Sequence, residues 1–319
     1  MILLTGATGR LGGAVLEKLV KGKKKVRVLV RDKEKMGGLA KGVEIAEGDI
    51  CKMESLKGAF EGVDSVIHCA GSVNFADEEE MMRINAEGTG NVLQACAESG
   101  AKIKRFIHCS SITVYGKNIE GREIGEEEPA HPDSIYAKSK YEAEEECKKF
   151  AEKFPITILR LGVIYGKGFE AGYGEVLERI RKGEMKVIGR GDNVVPLVHV
   201  EDAADAIVKA LEGKERKEKK GKEAGGGGCR IYNIVGEKKT QRELYEISAE
   251  ALGVSAPRGS VSVFLARMIA NLSGKRELLE YMNILSSDRQ FSVKKAEEEL
   301  KWKAKIGLGK GIKGVVEHL

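Results

Sequence analysis

The chain has 319 residues, enough for one large domain or two small ones around a sizeable core. Its net charge of +5 is mild and mixed, and only 5% of its residues are aromatic, which argues against a nucleic-acid partner. No apolar run approaches the length of a membrane span and Met1 leads straight into a strand-like segment, so a cytoplasmic protein with no membrane partner is expected. Six cysteines (51, 69, 96, 109, 147 and 229) show neither CxxC pairing nor zinc spacing; they are read as reduced core thiols, and no metal site is expected.

In chain order, "MILLTG" is a strand and "LGGAVLEKLVKG" a helix closed by Gly22. "KVRVLVR" and "VEIAEGD" are the second and third strands, and "MESLKGAF" is expected to be a helix. "VDSVIHCAG" is the fourth strand, and "EEEMMRINAEGTGNVLQACAESG" is expected to be one long helix. "KRFIHCSS" is the fifth strand, "YAKSKYEAEEECKKFAEKF" a helix and "ITILRLGVIYG" the sixth strand. This β-α-β-α rhythm implies an α/β protein: a parallel sheet with helices on both faces. Beyond about residue 165 the rhythm loosens. "GYGEVLERIRKG" and "VEDAADAIVKALEG" read as helices and "CRIYNIVG" as a strand, and "TQRELYEISAEALG" has an N-cap at Thr240 and a stop at Gly253. Residues 214–228, "KERKEKKGKEAGGGG", are low-complexity and are expected to be a surface loop or disordered excursion.

Three motifs carry chemistry. The first is the turn after the opening strand, with Gly6, Gly9 and Gly12 spaced three apart before a helix. The first glycine permits the tight turn, the second lets a pyrophosphate approach the backbone, and the third lets helix and strand pack closely. The second is the end of the second strand, where NAD-preferring sites place a carboxylate for the ribose hydroxyls. Here Val30 and Arg31 stand there, which suits a 2′-phosphate and hence NADP, with NAD kept open as an alternative. The third is "YAKSK", which places Tyr136 and Lys140 on one helical face. An ammonium beside a phenol favours phenolate, so such a tyrosine can exchange a proton with an alcohol or carbonyl.

The chain resembles the extended short-chain dehydrogenase/reductase family, the NAD-dependent epimerase/dehydratase superfamily. The resemblance is carried by "TGATGRLG", "GDI", "HCAG", "NAEGTGN", "SSITVYG", "PDSIYAKSK", "LRLGVIYG" and "VHVEDAADAI", in family order and spacing. It implies a Rossmann-type doubly wound sheet over residues 1–165, with segments at about 187–237 returning to it. Residues 166–319 would mainly form a smaller substrate-binding cap. It further implies that Ser111 hydrogen-bonds the reacting oxygen, that Tyr136 is the general acid/base, and that Lys140 tunes it and holds the nicotinamide ribose. Gly6, Thr8, Gly9, Arg10, Leu11 and Gly12 would bind the cofactor at the glycine turn, and Arg31 would take the 2′-phosphate. Asp49 and Ile50 would flank the adenine, Cys69, Ala70 and Gly71 would line the cofactor backbone, Asn85 would brace the strand ends, and Leu161 would touch the nicotinamide side. His68, His108 and His199 are read as structural.

The pattern departs from sugar-nucleotide relatives at two diphosphate ligands. Val163 stands in place of an Asn, and Val195 and Pro196 stand in place of an Arg. The expected function is therefore NADP-dependent, reversible hydride transfer to or from a small-molecule secondary alcohol or carbonyl. The alternative is a nucleotide-sugar epimerase or dehydratase with tightly bound NAD(P), for which Arg190 and Arg258 are the remaining phosphate candidates. A homodimer is kept open.

Overall fold

The apolar opening run forms β1 (Ile2–Thr5), buried along its whole length. The chain continues through α1 (Arg10–Lys21), β2 (Val26–Val30), β3 (Glu44–Glu47) and β4 (Ser65–His68). Next come α2 (Glu78–Met82), α3 (Gly88–Glu98), β5 (Arg105–Ser111), β6 (Glu123–Ile124) and α4 (Ile135–Phe150). These are followed by β7 (Ile156–Leu161), β8 (Val163–Tyr165), α5 (Glu175–Arg181), β9 (Val187–Ile188), β10 (Val194–Val195) and β11 (Leu197–His199). Last are α6 (Val200–Glu212), β12 (Cys229–Ile234), β13 (Lys239–Thr240), α7 (Gln241–Leu252), β14 (Ser260–Val261), α8 (Val263–Leu272), β15 (Gln290–Phe291) and two short helices, Lys294–Glu299 and Leu308–Val316. The structure, a computed structural model, describes residues 1–40, 42–117, 121–169, 173–213, 228–274, 279, 282 and 284–319. The low-complexity run 214–228 lies, except for Gly228, outside the described residues.

Seven strands form one parallel sheet in the order β12-β7-β5-β4-β1-β2-β3. The order reverses between β1 and β4, and ligands of open α/β sheets bind at such a switch point, outside the carboxyl ends of the strands. Both faces are covered, as uninterrupted apolar strands require. Val15, Leu16 and Leu19 of α1 pack with Ala203 and Ile207 of α6 on one face. Val92, Leu93 and Cys96 of α3 pack with Phe106 and Ile156 on the other. A third apolar cluster, with Tyr173, Leu177, Val195, Leu244, Tyr245 and Ile312, forms the core of the C-terminal elements.

Three local expectations are corrected. "MESLKGAF" makes only a 3₁₀ turn, Met53–Leu56, because Gly58 at φ +83° takes the chain out of helical geometry. The long helix is interrupted by a π-helical turn, Arg83–Glu87, between α2 and α3. The sixth strand is split at Gly162: β7 stays in the main sheet, while β8 pairs with β11. A side chain at Gly162 would stand 2.6 Å from the Pro196 carbonyl, so only glycine allows this crossing. In α7 the expected caps are present. Thr240 and Glu243 close a capping box, and Gly253 ends the helix at φ +70°.

Candidate active site

The glycine turn is shaped by close backbone approach. Gly6 has φ +73°, and a Cβ there would lie 2.6 Å from the Ala70 amide nitrogen. A Cβ on Gly12 would collide with the Gly6 carbonyl. Gly9 stands at the N-cap of α1 with no side-chain cap, and no acidic residue occupies the first helical turn. The first amides of α1 and the positive end of its dipole are therefore left for an anion. This cradle, which any side chain would fill, fits a pyrophosphate. Thr8 and Arg10 are exposed at its rim, and Leu11 packs inward against the main core. The Arg10 guanidinium lies 5.5 Å from the centre of the Phe169 ring, tying the turn to the loop after β8.

At the end of β2, Val30 is buried and Arg31 is exposed. Asp32 accepts the Glu34 N–H at 2.9 Å. Asp49 is held in a turn, its carboxylate accepting the Cys51 N–H at 3.0 Å and its own N–H donating to Ser55 Oγ at 2.9 Å. Ile50 packs on α3 at Gly88, where a Cβ would meet its side chain at 2.9 Å. Burial pushes the Cys51 thiol up, while the Arg83 and Arg31 guanidiniums act on it in the opposite direction. Both guanidiniums are thus near enough to act on the Asp49–Cys51 turn, although that of Arg83 also lies 3.9 Å from the Glu80 carboxylate; the sequence reading had found only Arg31.

The ends of β4 and β5 carry the polar centre. Lys140 is buried, and its Nζ donates to the Cys109 carbonyl at 3.1 Å. A Cβ on Gly71 would lie 3.2 Å from that Nζ and 3.0 Å from Asn85 Oδ1, so glycine here lets the two side chains converge. Burial holds the Lys140 ammonium below its usual pKa, offset by the nearby Cys109 and Cys69 thiols. Cys69 and Cys109, at the ends of these neighbouring strands, stand with sulfurs 3.4 Å apart, and all six cysteines are free.

Asn85 sits in the π-helical turn and is buried. Its amide donates to the Ser72 carbonyl and to Ser139 Oγ, both at 2.9 Å, and its Oδ1 accepts the Ser72 N–H at 2.7 Å. Ser139 Oγ in turn donates to the Tyr136 carbonyl at 2.9 Å. Asn85 therefore ties the loop after β4 to the helix that carries Tyr136 and Lys140. Tyr136 is half-buried, with the Phe75 ring edge-on at 6.0 Å. Ser111 ends β5 in register with Leu161 of β7. Its Oγ accepts from the Thr113 N–H at 3.2 Å and the Thr113 hydroxyl at 2.9 Å. With two acceptor positions taken, the serine proton is left to be donated to an oxygen above the strand ends.

Thr113, Ser139, Phe75 and Glu144 were missed in the sequence. Only Glu144 had a usable signal there, standing four residues after Lys140 on the Tyr136–Lys140 face. It is fully buried and pairs with Arg160 of β7 at 2.6 Å. It also accepts the Ser110 hydroxyl at 2.6 Å. The Arg160 guanidinium lies 4.5 Å from the centre of the Tyr115 ring.

His68, His108 and His199 make internal contacts. Buried His68 bridges Thr5 at 2.7 Å and Thr89 at 3.0 Å, and His108 stacks on it at 5.6 Å. His199 accepts the Glu201 N–H at the N-cap of α6. Val163 and Val195 pack in the C-terminal core, and Pro196 accepts the Val163 N–H at 2.8 Å. Arg190 is 88% exposed and paired with Asp192 at 2.8 Å, and Arg258 is exposed.

A parallel sheet with a glycine cradle at its switch point is the frame of a nucleotide-dependent enzyme of the oxidoreductase/epimerase type. The model of the NAD dependent epimerase/dehydratase family matches residues 2–234, and the chain belongs to that family. It is 26% identical over 291 residues to the N-acetyl-alpha-D-glucosaminyl-diphospho-ditrans,octacis-undecaprenol 4-epimerase of Escherichia coli O157:H7, covering 86% of this chain and 81% of that protein. It is 30% identical over 223 residues to the 2-alkyl-3-oxoalkanoate reductase of Shewanella oneidensis, covering 66% of this chain and 56% of that protein. The fold superimposes on MoeE5, solved in complex with UDP-glucose and NAD. The TM-score is 0.77 at 22% identity, covering 99% of this chain and 97% of that one.

Proposed function

We propose that this protein is an NADP-dependent oxidoreductase that interconverts a secondary alcohol and a carbonyl on an apolar, non-nucleotide substrate. The observation that carries the substrate half is a departure in the sequence: Val163, Val195 and Pro196 stand where the resemblance to sugar-nucleotide relatives implies an Asn and an Arg for a diphosphate, and the two valines pack in the C-terminal core. A desolvated diphosphate needs several donors. Arg190 and Arg258, the phosphate candidates read from the sequence, lie on the outside. The reductase relative is named for a 2-alkyl-3-oxoalkanoate, a carbonyl compound with an alkyl chain.

The coenzyme, when bound, supplies or takes the hydride. Gly6, Gly9 and Gly12 with the first amides of α1 would hold its pyrophosphate, and Arg31 and Arg83 would face its adenosine end, beside Asp49 and Ile50. Cys69, Ala70, Gly71 and Leu161 would line its path to the nicotinamide. In the reducing direction Ser111 donates a hydrogen bond to the carbonyl oxygen and Tyr136 delivers the proton. Lys140, anchored on the Cys109 carbonyl, favours the tyrosinate that remains. In the oxidising direction the same tyrosinate takes the alcohol proton.

The alternative is an epimerase acting on a diphosphate-bearing sugar, as the Escherichia coli relative is named to do. One observation favours it: Arg289 is buried where its backbone N–H bonds the Val194 carbonyl, beside Val195. Calorimetry of UDP-glucose with the NADP-loaded protein separates the two. The apolar reading expects no binding at micromolar concentration. A micromolar Kd, about −8 kcal/mol, contradicts it and supports the epimerase.

A further inference from the structure

Helix α8 (Val263–Leu272) is built inside out. Its buried positions are the small Ala266 and Ala270, while Phe264, Leu265, Met268, Ile269 and Leu272 point outward. Phe264 and Leu272 are 79% and 80% exposed and Ile269 is 56% exposed. At 3.6 residues per turn the five outward residues fall within an arc of about 140°, one continuous stripe along the helix. Burying large side chains and exposing small ones would stabilise the fold more, so the stripe is unaccounted for by packing among the described residues. Between Glu250 and Glu277 the sequence holds four cations and no acidic residue; of these Arg258 is exposed, while Arg267 is half-buried and donates to Ser286 Oγ at 3.3 Å. Arg258 is exposed just ahead of β14, which pairs with β9 and leads into α8, and exposed Lys186 lies beside it at Gly259.

We infer that α8 is a membrane-surface element, which lies in the headgroup region of an anionic lipid bilayer with its outward stripe in the acyl boundary. An apolar face flanked by cations is what interfacial binding requires, and a few large side chains suffice for it. A second copy of the chain fits less well. A stable protein interface takes about 20–30 residues a side, and five from one helix fall far short. Symmetric pairing of this face would also oppose cation to cation. The inference does not depend on the substrate proposed above.

The test is sedimentation of the full chain with phosphatidylcholine vesicles and with vesicles containing phosphatidylglycerol. The expected result is binding to the anionic vesicles that weakens with salt. It should weaken further in Arg258→Glu and fall by about tenfold or more in the double variant Phe264→Ser/Leu272→Ser, tenfold being the factor carried by 1.4 kcal/mol. Coenzyme affinity of that variant should match the wild type, which shows that the fold is intact. In Phe264→Trp, emission should shift to the blue on adding anionic vesicles; buried Trp302, the one native tryptophan, is a constant background. Absence of vesicle binding by the wild type, or equal binding by the Phe264→Ser/Leu272→Ser variant, overturns the inference. So does a wild-type dimer that this double variant converts to monomer, since the face would then belong to a second copy.

Discussion

Arg31 and Lys140 show two ways in which one side chain directs a coenzyme site. Lys140 is fixed: buried, bonded to the Cys109 carbonyl, and given room where Gly71 lacks a side chain. Arg31 is exposed at the end of β2 and adaptable. A charge-assisted bond from its guanidinium to a 2′-phosphate is worth about 1.5–3 kcal/mol, a preference on the order of ten- to a hundredfold for NADP over NAD. Titration of both coenzymes should show that preference in the wild type and its loss in Arg31→Ala. Equal affinities in the wild type would contradict it. At this scale the sequence was informative where chemistry demands a fixed spacing, as in Tyr136–Lys140 and the glycine turn. It was silent on Thr113, whose two bonds to Ser111 depend on a 3₁₀ turn after β5 that no periodicity announces.

Helix α4, capped by the Ser134 side chain, positions the proposed chemistry through Glu144 as well. Tyr136, Lys140 and Glu144 stand four apart on one face, and the last is locked to Arg160 of β7 and Ser110 of β5 inside the core. Removing one member of such a pair leaves an uncompensated buried charge, which costs about 3–5 kcal/mol. Glu144→Gln should lower the urea-unfolding free energy by that amount, and the double variant Glu144→Gln/Arg160→Met should recover much of it. A loss below about 1 kcal/mol in the single variant would show that the pair is not what holds α4. The order of strands and helices was legible in the sequence because alternation of apolar runs and amphipathic helices leaves few topologies. The interruptions were not. The π-helical turn around Asn85 and the break at Gly162 answer to tertiary partners, Ser72 in one case and the Pro196 carbonyl in the other.

Across the whole molecule the acid side of the stability profile follows from two buried histidines. Burial, with the Lys140 charge second, lowers His68 from 6.5 to about 3, and the same causes hold His108 well below its ordinary value. The unfolded chain therefore takes up protons near pH 6.5, while the folded chain refuses them well below that, His68 until about pH 3. Stability is full above pH 6.5 and falls as the pH drops through that window, by about 1.4 kcal/mol per pH unit for each histidine. Urea midpoints measured from pH 7 to pH 5, above most carboxylate titration, should decline by an amount matching about 2 kcal/mol or more; a flat profile would contradict the account of these residues.

The central claim is net hydride transfer with Tyr136 as the proton donor, and the absorbance of NADPH tests it most directly. Mixing the protein with NADPH and a long-chain 3-oxoalkanoate or another apolar ketone should oxidise NADPH in proportion to the alcohol formed. In Tyr136→Phe the rate should fall by about 10²–10⁴-fold while NADPH still binds. Undiminished turnover in Tyr136→Phe would contradict the claim. So would a wild-type protein that oxidises no NADPH with any carbonyl but interconverts sugar epimers with its coenzyme retained.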